Sequence, residues 1–116
     1  VTGVQTCALP ISVVLNPEDS LESHIQDTLI AGAGLCHKDA VEFTVRNAKS
    51  AIDWLINLGV KFTQSKNNSG QISYHLTQEG GHSCRRIIHA DDSTGKSVLG
   101  VLIDEIKKEK NIEIYI

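Results

Sequence analysis

No stretch of this sequence stays apolar for the roughly 18 residues a membrane-spanning helix needs, and no basic lead precedes an apolar segment at its start. Neither a span nor a signal peptide is therefore predicted. An excess of positive charge is also lacking. Eleven Lys and Arg against 14 Asp and Glu leave a net charge of −3, so no basic field invites nucleic acid. Cys7, Cys36 and Cys84 are odd in number and follow no pairing pattern, which predicts no disulfide framework and suits a reducing cytoplasm. No G-x-G-x-x-G loop occurs, and no methionine opens the chain. What remains is ordinary globular composition, 41% hydrophobic and 22% charged, enough for one small domain.

Residues 1–12 carry neither helical nor strand periodicity and read like a translated sequencing adapter fused to a reading frame. Native sequence is expected from about Ser12 or Val13, and Cys7 and Pro10 carry no functional weight. From there the pattern is α/β. Asp19, three residues before Glu22, predicts the acidic form of a capping box opening a first helix. Leu21, Ile25, Leu29 and Gly32 give that helix a narrow stripe, and Gly32 and Gly34 end it.

A longer helix is predicted from Asp39 to Leu58. Val41, Val45, Ala48, Ile52 and Leu55 form its stripe, and Ala40, Ala51, Trp54 and Leu58 broaden it, so Trp54 is expected in the core. Gly59 followed by Val60 reads as its C-terminal cap. Strands are expected at 60–62 and 71–76 around a turn at 66–70, and again at 85–89. Ser93 or Thr94 should cap a third helix, with Val98, Leu99, Leu102 and Ile106 inward and Lys107, Lys108 and Lys110 at its C-terminal end, stopped by Asn111. The pentapeptide 112–116 reads as a final strand. A domain finishing inside a strand, with three amphipathic helices and little sheet, is expected to be a fragment whose apolar faces have lost their partners.

Polar chemistry concentrates in residues 74–90, which hold three of the five histidines, a Gly-Gly pair and an Arg-Arg pair. Gly80-Gly81 lets backbone approach a flat ligand where a Cβ would collide, and Glu79 places a carboxylate at the same spot. The bland alternative is a turn with a solvated acid. Arg85 and Arg86 could simply form a salt-bridged cluster with Glu79. His75, His82, Cys84 and His89 raise the question of zinc, but steps of seven, two and five residues match no paired-ligand pattern, so no metal site is predicted. A Cys84–His82 nucleophile pair lacks a third group to orient the base. The segment Ala90–Ser97 ends in Gly-Lys-Ser like a phosphate loop, yet it lacks the leading glycine and puts Asp91 and Asp92 where amides would meet phosphate.

Taken together, Asp19-Ser20-Leu21-Glu22-Ser23-His24, the run from Asp27 through Gly34 to Cys36, His75-Leu76-Thr77, Glu79-Gly80-Gly81-His82-Ser83 and Arg85-Arg86-Ile87 resemble the L-aspartate oxidase family. A looser pattern of Arg86, Asp92, Thr94 and Gly95 is similar to the wider succinate dehydrogenase and fumarate reductase flavoproteins. The resemblance implies a partial FAD-binding domain over residues 13–116 and oxidation of L-aspartate to iminoaspartate. Oxygen or fumarate would reoxidise the flavin, and quinolinate synthase would consume the product on the way to NAD. It places Glu79 beside the substrate, with Thr77, Gly80, Gly81, His82 and Ser83 around substrate and flavin, and gives Arg86, Asp92, Thr94 and Gly95 a structural part. The family's glycine-rich FAD loop and its carboxylate-binding arginines have no counterpart in these residues, so the isolated fragment is expected to be inactive. A dicarboxylate flavoprotein without amine specificity, a phosphate-loop nucleotide binder, and a helix-hairpin module with no site stand as the alternatives.

Overall fold

The computed structural model describes residues 11–91 and 93–115. Its elements in chain order are β1 (Ile11–Ser12), α1 (Leu21–Ala31), α2 (Lys38–Leu58), β2 (Gln64–Lys66), β3 (Ile72–Tyr74), β4 (Leu76–Thr77), β5 (Ile87–Ile88) and α3 (Thr94–Lys108). Asp92, one of the family-motif positions, lies outside the described residues, as do positions 1–10 and 116.

α1 is capped by Ser20, not Asp19: the Ser20 hydroxyl accepts from the Ser23 amide at 3.0 Å. Asp19 does accept from the Ser20 amide, but its carboxylate is otherwise committed to Arg86, described below. α2 ends as its Gly-Val sequence predicts. Gly59 takes φ +110°, its amide bonds Ile56 O, and the Val60 amide reaches Leu55 O at 3.0 Å while Val60 and Leu55 are both buried. That is a Schellman cap with its hydrophobic contact.

The core gathers Val13, Ile52, Leu55, Val60, Phe62 and Ile88, with Tyr74, Leu76, Val98, Val101 and Leu102 packed around it. β5 is the middle strand of an antiparallel sheet in the order β1-β5-β4, Ile88 facing Ile11 and Leu76, Ile87 facing Ser12 and Thr77. β2 and β3 make a separate hairpin closed by Asn67, whose side-chain oxygen accepts from the Ser69 and Gln71 amides.

Several expectations do not hold. Trp54 is 55% exposed, because it stands about 200° round the helix from Ile52, away from the core cluster that Ile52 joins. Ala40 and Ala51 are likewise exposed. Residues 60–62 alternate inward and outward as a strand would, but the Val60 amide is spent on the helix cap and no ladder forms there. Strand 71–76 breaks at His75, whose amide turns aside to Thr63 O at 2.9 Å. On α3, Leu99 is 59% exposed and Ile106 39%, and Val101 takes the inward place instead. α3 stops at Lys108, leaving Lys110 and Asn111 beyond its end. Residues 112–115 form no strand, since none of the described residues pairs with them.

Candidate functional site

The 78–83 segment is a tight exposed turn. His82 N donates to Glu79 O at 3.2 Å, the Gln78 side-chain amide clamps His82 O at 2.7 Å, and Gly81 adopts φ +84°. Glu79, Gly80 and Gly81 are all exposed. Nothing lies within 4 Å of the place where a Cβ on Gly80 would stand, whereas one on Gly81 would meet the Ala31 methyl of α1 at 3.3 Å. The turn therefore presents an open peptide face outward and leans its other side on α1.

Beneath it lies a polar hub centred on Arg86, whose side chain is fully buried. Nε and one terminal nitrogen grip the two oxygens of Asp19 at 2.7 and 2.8 Å, a bidentate pair sealed from solvent on both sides. The other terminal nitrogen donates to Asp27 Oδ2 at 2.6 Å and to His82 Nδ1 at 3.1 Å, and Ser23 Oγ takes a further bond. Because guanidinium only donates, His82 must accept at Nδ1 and carry its proton on Nε2. The same Asp27 oxygen accepts from the Ser83 amide and hydroxyl, both at 2.7 Å.

These contacts fix the charges. The Ser83 amide, then Arg86, hold Asp27 at about 2, well below the ordinary carboxylate range. Arg86 likewise lowers Asp19, and the two carboxylates raise Arg86 in turn. His24 lies alongside, its ring 5.6 Å from that of His82, its Nε2 3.2 Å from Ser12 Oγ and its buried Nδ1 without a protein partner. Burial, then the nearby Arg86 charge and His82, lowers its pKa.

The structure thus joins His82, Ser83 and Arg86, and brings Glu79, Gly80 and Gly81 to the surface immediately above them. It does not join Glu79 to the arginines: Arg86 is saturated by Asp19 and Asp27, and Arg85 reaches only Leu76 O at 3.4 Å. Thr77 is half-buried in β4, its carbonyl accepting from the Arg86 amide at 3.1 Å. Asp19, Ser23, His24 and Asp27 are neighbours of the turn's support that residue-by-residue reading missed. The four-residue step from Ser23 to Asp27 puts those two on one side of α1, with Asp19 just ahead of its cap, which was the available signal.

The remaining candidates separate. His75 Nδ1 and His89 Nε2 bond each other at 2.8 Å, while His82 serves Arg86, so the four zinc-like residues do not converge. Cys84 has no bond to His82, whose Nδ1 is already occupied. In the 90–97 loop, Thr94 is buried and its hydroxyl accepts from the Ala90 amide at 3.0 Å. The Asp91 amide bonds Thr63 Oγ1 and the Ser93 amide bonds Ala90 O. A phosphate loop needs those amides free, and here they are spent on Thr94, Thr63 and Ala90. Gly95 belongs to the first turn of α3.

The fold has a counterpart among solved structures. A chain of E. coli quinol fumarate reductase superposes with a TM-score of 0.81 at 26% identity, covering 93% of this chain and 18% of that one. A family model described as FAD binding domain matches residues 3–116, and the chain belongs to that family. It is 50% identical over 107 residues to the L-aspartate oxidase of Pseudomonas aeruginosa and 50% identical over 104 residues to that of Yersinia pestis. In each comparison 90% of this chain is covered, and it spans 20% of the relative's length. No helix among the described residues is long and apolar enough to cross a membrane.

Of the parts of FAD, a flat ring meeting exposed backbone is the one compatible with the Gly80 turn. A flat ring needs a place where backbone can approach unhindered, and Gly80 offers one. Pyrophosphate needs free amides in a loop leading into a helix, and those of Ala90, Asp91 and Ser93, ahead of α3, are taken.

Proposed function

We propose that this chain is part of an L-aspartate oxidase that converts L-aspartate to iminoaspartate in the cytoplasm, with oxygen or fumarate as reoxidant and quinolinate synthase consuming the product. The reading is supported by 50% identity to such oxidases together with an exposed Glu79 on a turn anchored from below. Bound FAD would supply the two-electron acceptor for the hydride leaving the substrate Cα. Gly80 and Gly81 would meet it through their backbone, with Thr77, His82 and Ser83 behind them. Glu79 has the chemistry to receive the substrate ammonium: it is a carboxylate that makes no ion pair among the described residues. With water excluded by the rest of the enzyme, that attraction is worth about 2–4 kcal/mol, and fumarate and succinate would not gain it.

A second reading, a fumarate reductase or succinate dehydrogenase type of enzyme, draws support from the fumarate reductase superposition. The two part on the amine. Glu79→Gln in the full-length enzyme should lower kcat/KM for aspartate oxidation by about 30-fold or more while fumarate reduction stays within about threefold of wild type. An equal loss in both reactions would remove Glu79 from amine recognition.

A further inference from the structure

Glu79 is exposed, yet the backbone that carries it is not free to move. The residues immediately after the glycine pair are held by α1: Ser83 through two bonds to Asp27 Oδ2, and His82 through Arg86, which is itself bound to Asp27 and Asp19. Ser23 Oγ adds a contact to Ser83 Oγ at 3.2 Å. On the near side the Gln78–His82 clamp closes the turn, so the three residues between have both ends tied. The close approach of Gly81 to Ala31 fixes how near the turn lies to the helix. Asp27 is the common element, since one of its oxygens takes the Ser83 amide, the Ser83 hydroxyl and the guanidinium.

We propose that Asp27, acting through Ser83, is the positioning residue that sets where the Glu79 carboxylate stands relative to substrate. This rests on the reading of Glu79 as the ammonium partner. The near end of the turn follows directly from β4, and α1 holds its far end through Ser83. The Ser83 amide and Arg86 hold the Asp27 carboxyl well below the ordinary range, which favours the charged form that accepts these bonds. A displacement of about 1 Å at a charged contact is enough to cost on the order of a hundredfold in rate.

The test uses the full-length holoenzyme and compares kcat/KM for L-aspartate oxidation and fumarate reduction in Asp27→Asn, Ser83→Ala, Ser83→Thr and Glu79→Gln. Ser83→Ala should lower the aspartate-to-fumarate ratio about tenfold, Asp27→Asn by more, and Ser83→Thr, which keeps the hydroxyl, by less than about threefold. In the Glu79→Gln background, Ser83→Ala should change the ratio no further, because the loop's position matters only through that carboxylate. If Asp27→Asn fails to fold, Ser83→Ala decides, since it removes one exposed hydroxyl. A parallel fall in both reactions, or a ratio change that persists in the Glu79→Gln background, overturns the proposal while leaving the role of Glu79 intact. An unchanged ratio in Glu79→Gln alone overturns that role and the positioning proposal with it.

Discussion

Replacing Arg86 with methionine should be among the most damaging single changes available in the described residues. The guanidinium makes five hydrogen bonds, to Asp19 twice, Asp27, His82 and Ser23, and both it and Asp19 are sealed from solvent. Methionine fills much of the volume but satisfies none of the oxygens. Removing one partner of a buried pair costs about 3–5 kcal/mol, because the remaining charge is left without compensation. Asp19 would escape part of that penalty by taking up a proton. Arg86→Lys keeps the charge but lacks the planar fork needed to span Asp19 and Asp27 together, so about 1–3 kcal/mol should be lost.

Urea unfolding followed by circular dichroism measures both, with an unchanged m-value marking a loss of stability rather than of compactness. The pH dependence supplies a second signature. An unpaired buried carboxylate has a folded-state pKa above its unfolded value, so Arg86→Met should become more stable as pH falls from neutrality towards 4, opposite to the parent. A loss below about 1 kcal/mol, or an unreversed pH slope, would show that the hub does not stabilise the fold as its geometry requires.

Two further outcomes follow from burial and charge. Ile52 is 2% exposed and Trp54 55%, so Ile52→Ala should cost about 2–5 kcal/mol and Trp54→Ala less than about 1 in the same urea assay, despite the larger side chain. Acid should weaken the parent fold in two separate windows. The lowered pKa of His24 favours its neutral form, so its contribution is complete above the ordinary 6.5 and declines as pH falls below it; His24→Gln should abolish that first step. The contributions of Asp19 and Asp27 are complete above the ordinary 3.8 and are lost as pH falls through their lowered folded values, about 2 for Asp27. For Asp27 that second loss is about 1–2 kcal/mol after discounting for solvent at its open side, and a titration of stability showing a single step would contradict the assignment.

Local rules read this chain well where the answer was local. Gly59-Val60 gave the cap of α2 because φ +110° and the Val60–Leu55 contact involve neighbours along one helix. The 66–70 turn was legible because Asn67 satisfies amides two and four residues on. Errors arose where a residue had two competing partners far apart in sequence. Asp19 looked like a helix cap, but a buried guanidinium 67 residues away claims it and Ser20 takes the cap. Trp54 looked like core because apolar residues flank it, yet burial needs a covering layer and the described residues supply none on that side. Residues 112–115 have strand composition, but none of the described residues pairs with them. Composition states what a segment could do, and the partner decides.

The same distinction explains why the Glu79 turn was visible in sequence while the device holding it was not. A carboxylate beside two glycines is a contiguous signal. Its anchor is assembled from Asp19 just ahead of α1, Ser23 and Asp27 on that helix, and Arg86 beyond the turn, an arrangement that exists only once β5 has drawn Arg86 under α1. Burying an arginine with two acids is a costly way to gain stability, since apolar residues of equal volume commonly do as well. What the charged version adds is direction: a fork with fixed hydrogen-bond angles sets the orientation of His82 directly, and through the shared Asp27 oxygen it sets that of Ser83. A hub that served stability alone could be exchanged for apolar side chains without consequence to the turn. An Asp19→Leu, Asp27→Leu, Arg86→Met combination that keeps the fold but frees the 78–83 segment would separate these two roles, and only the orienting role accounts for why Ser83 shares the carboxylate.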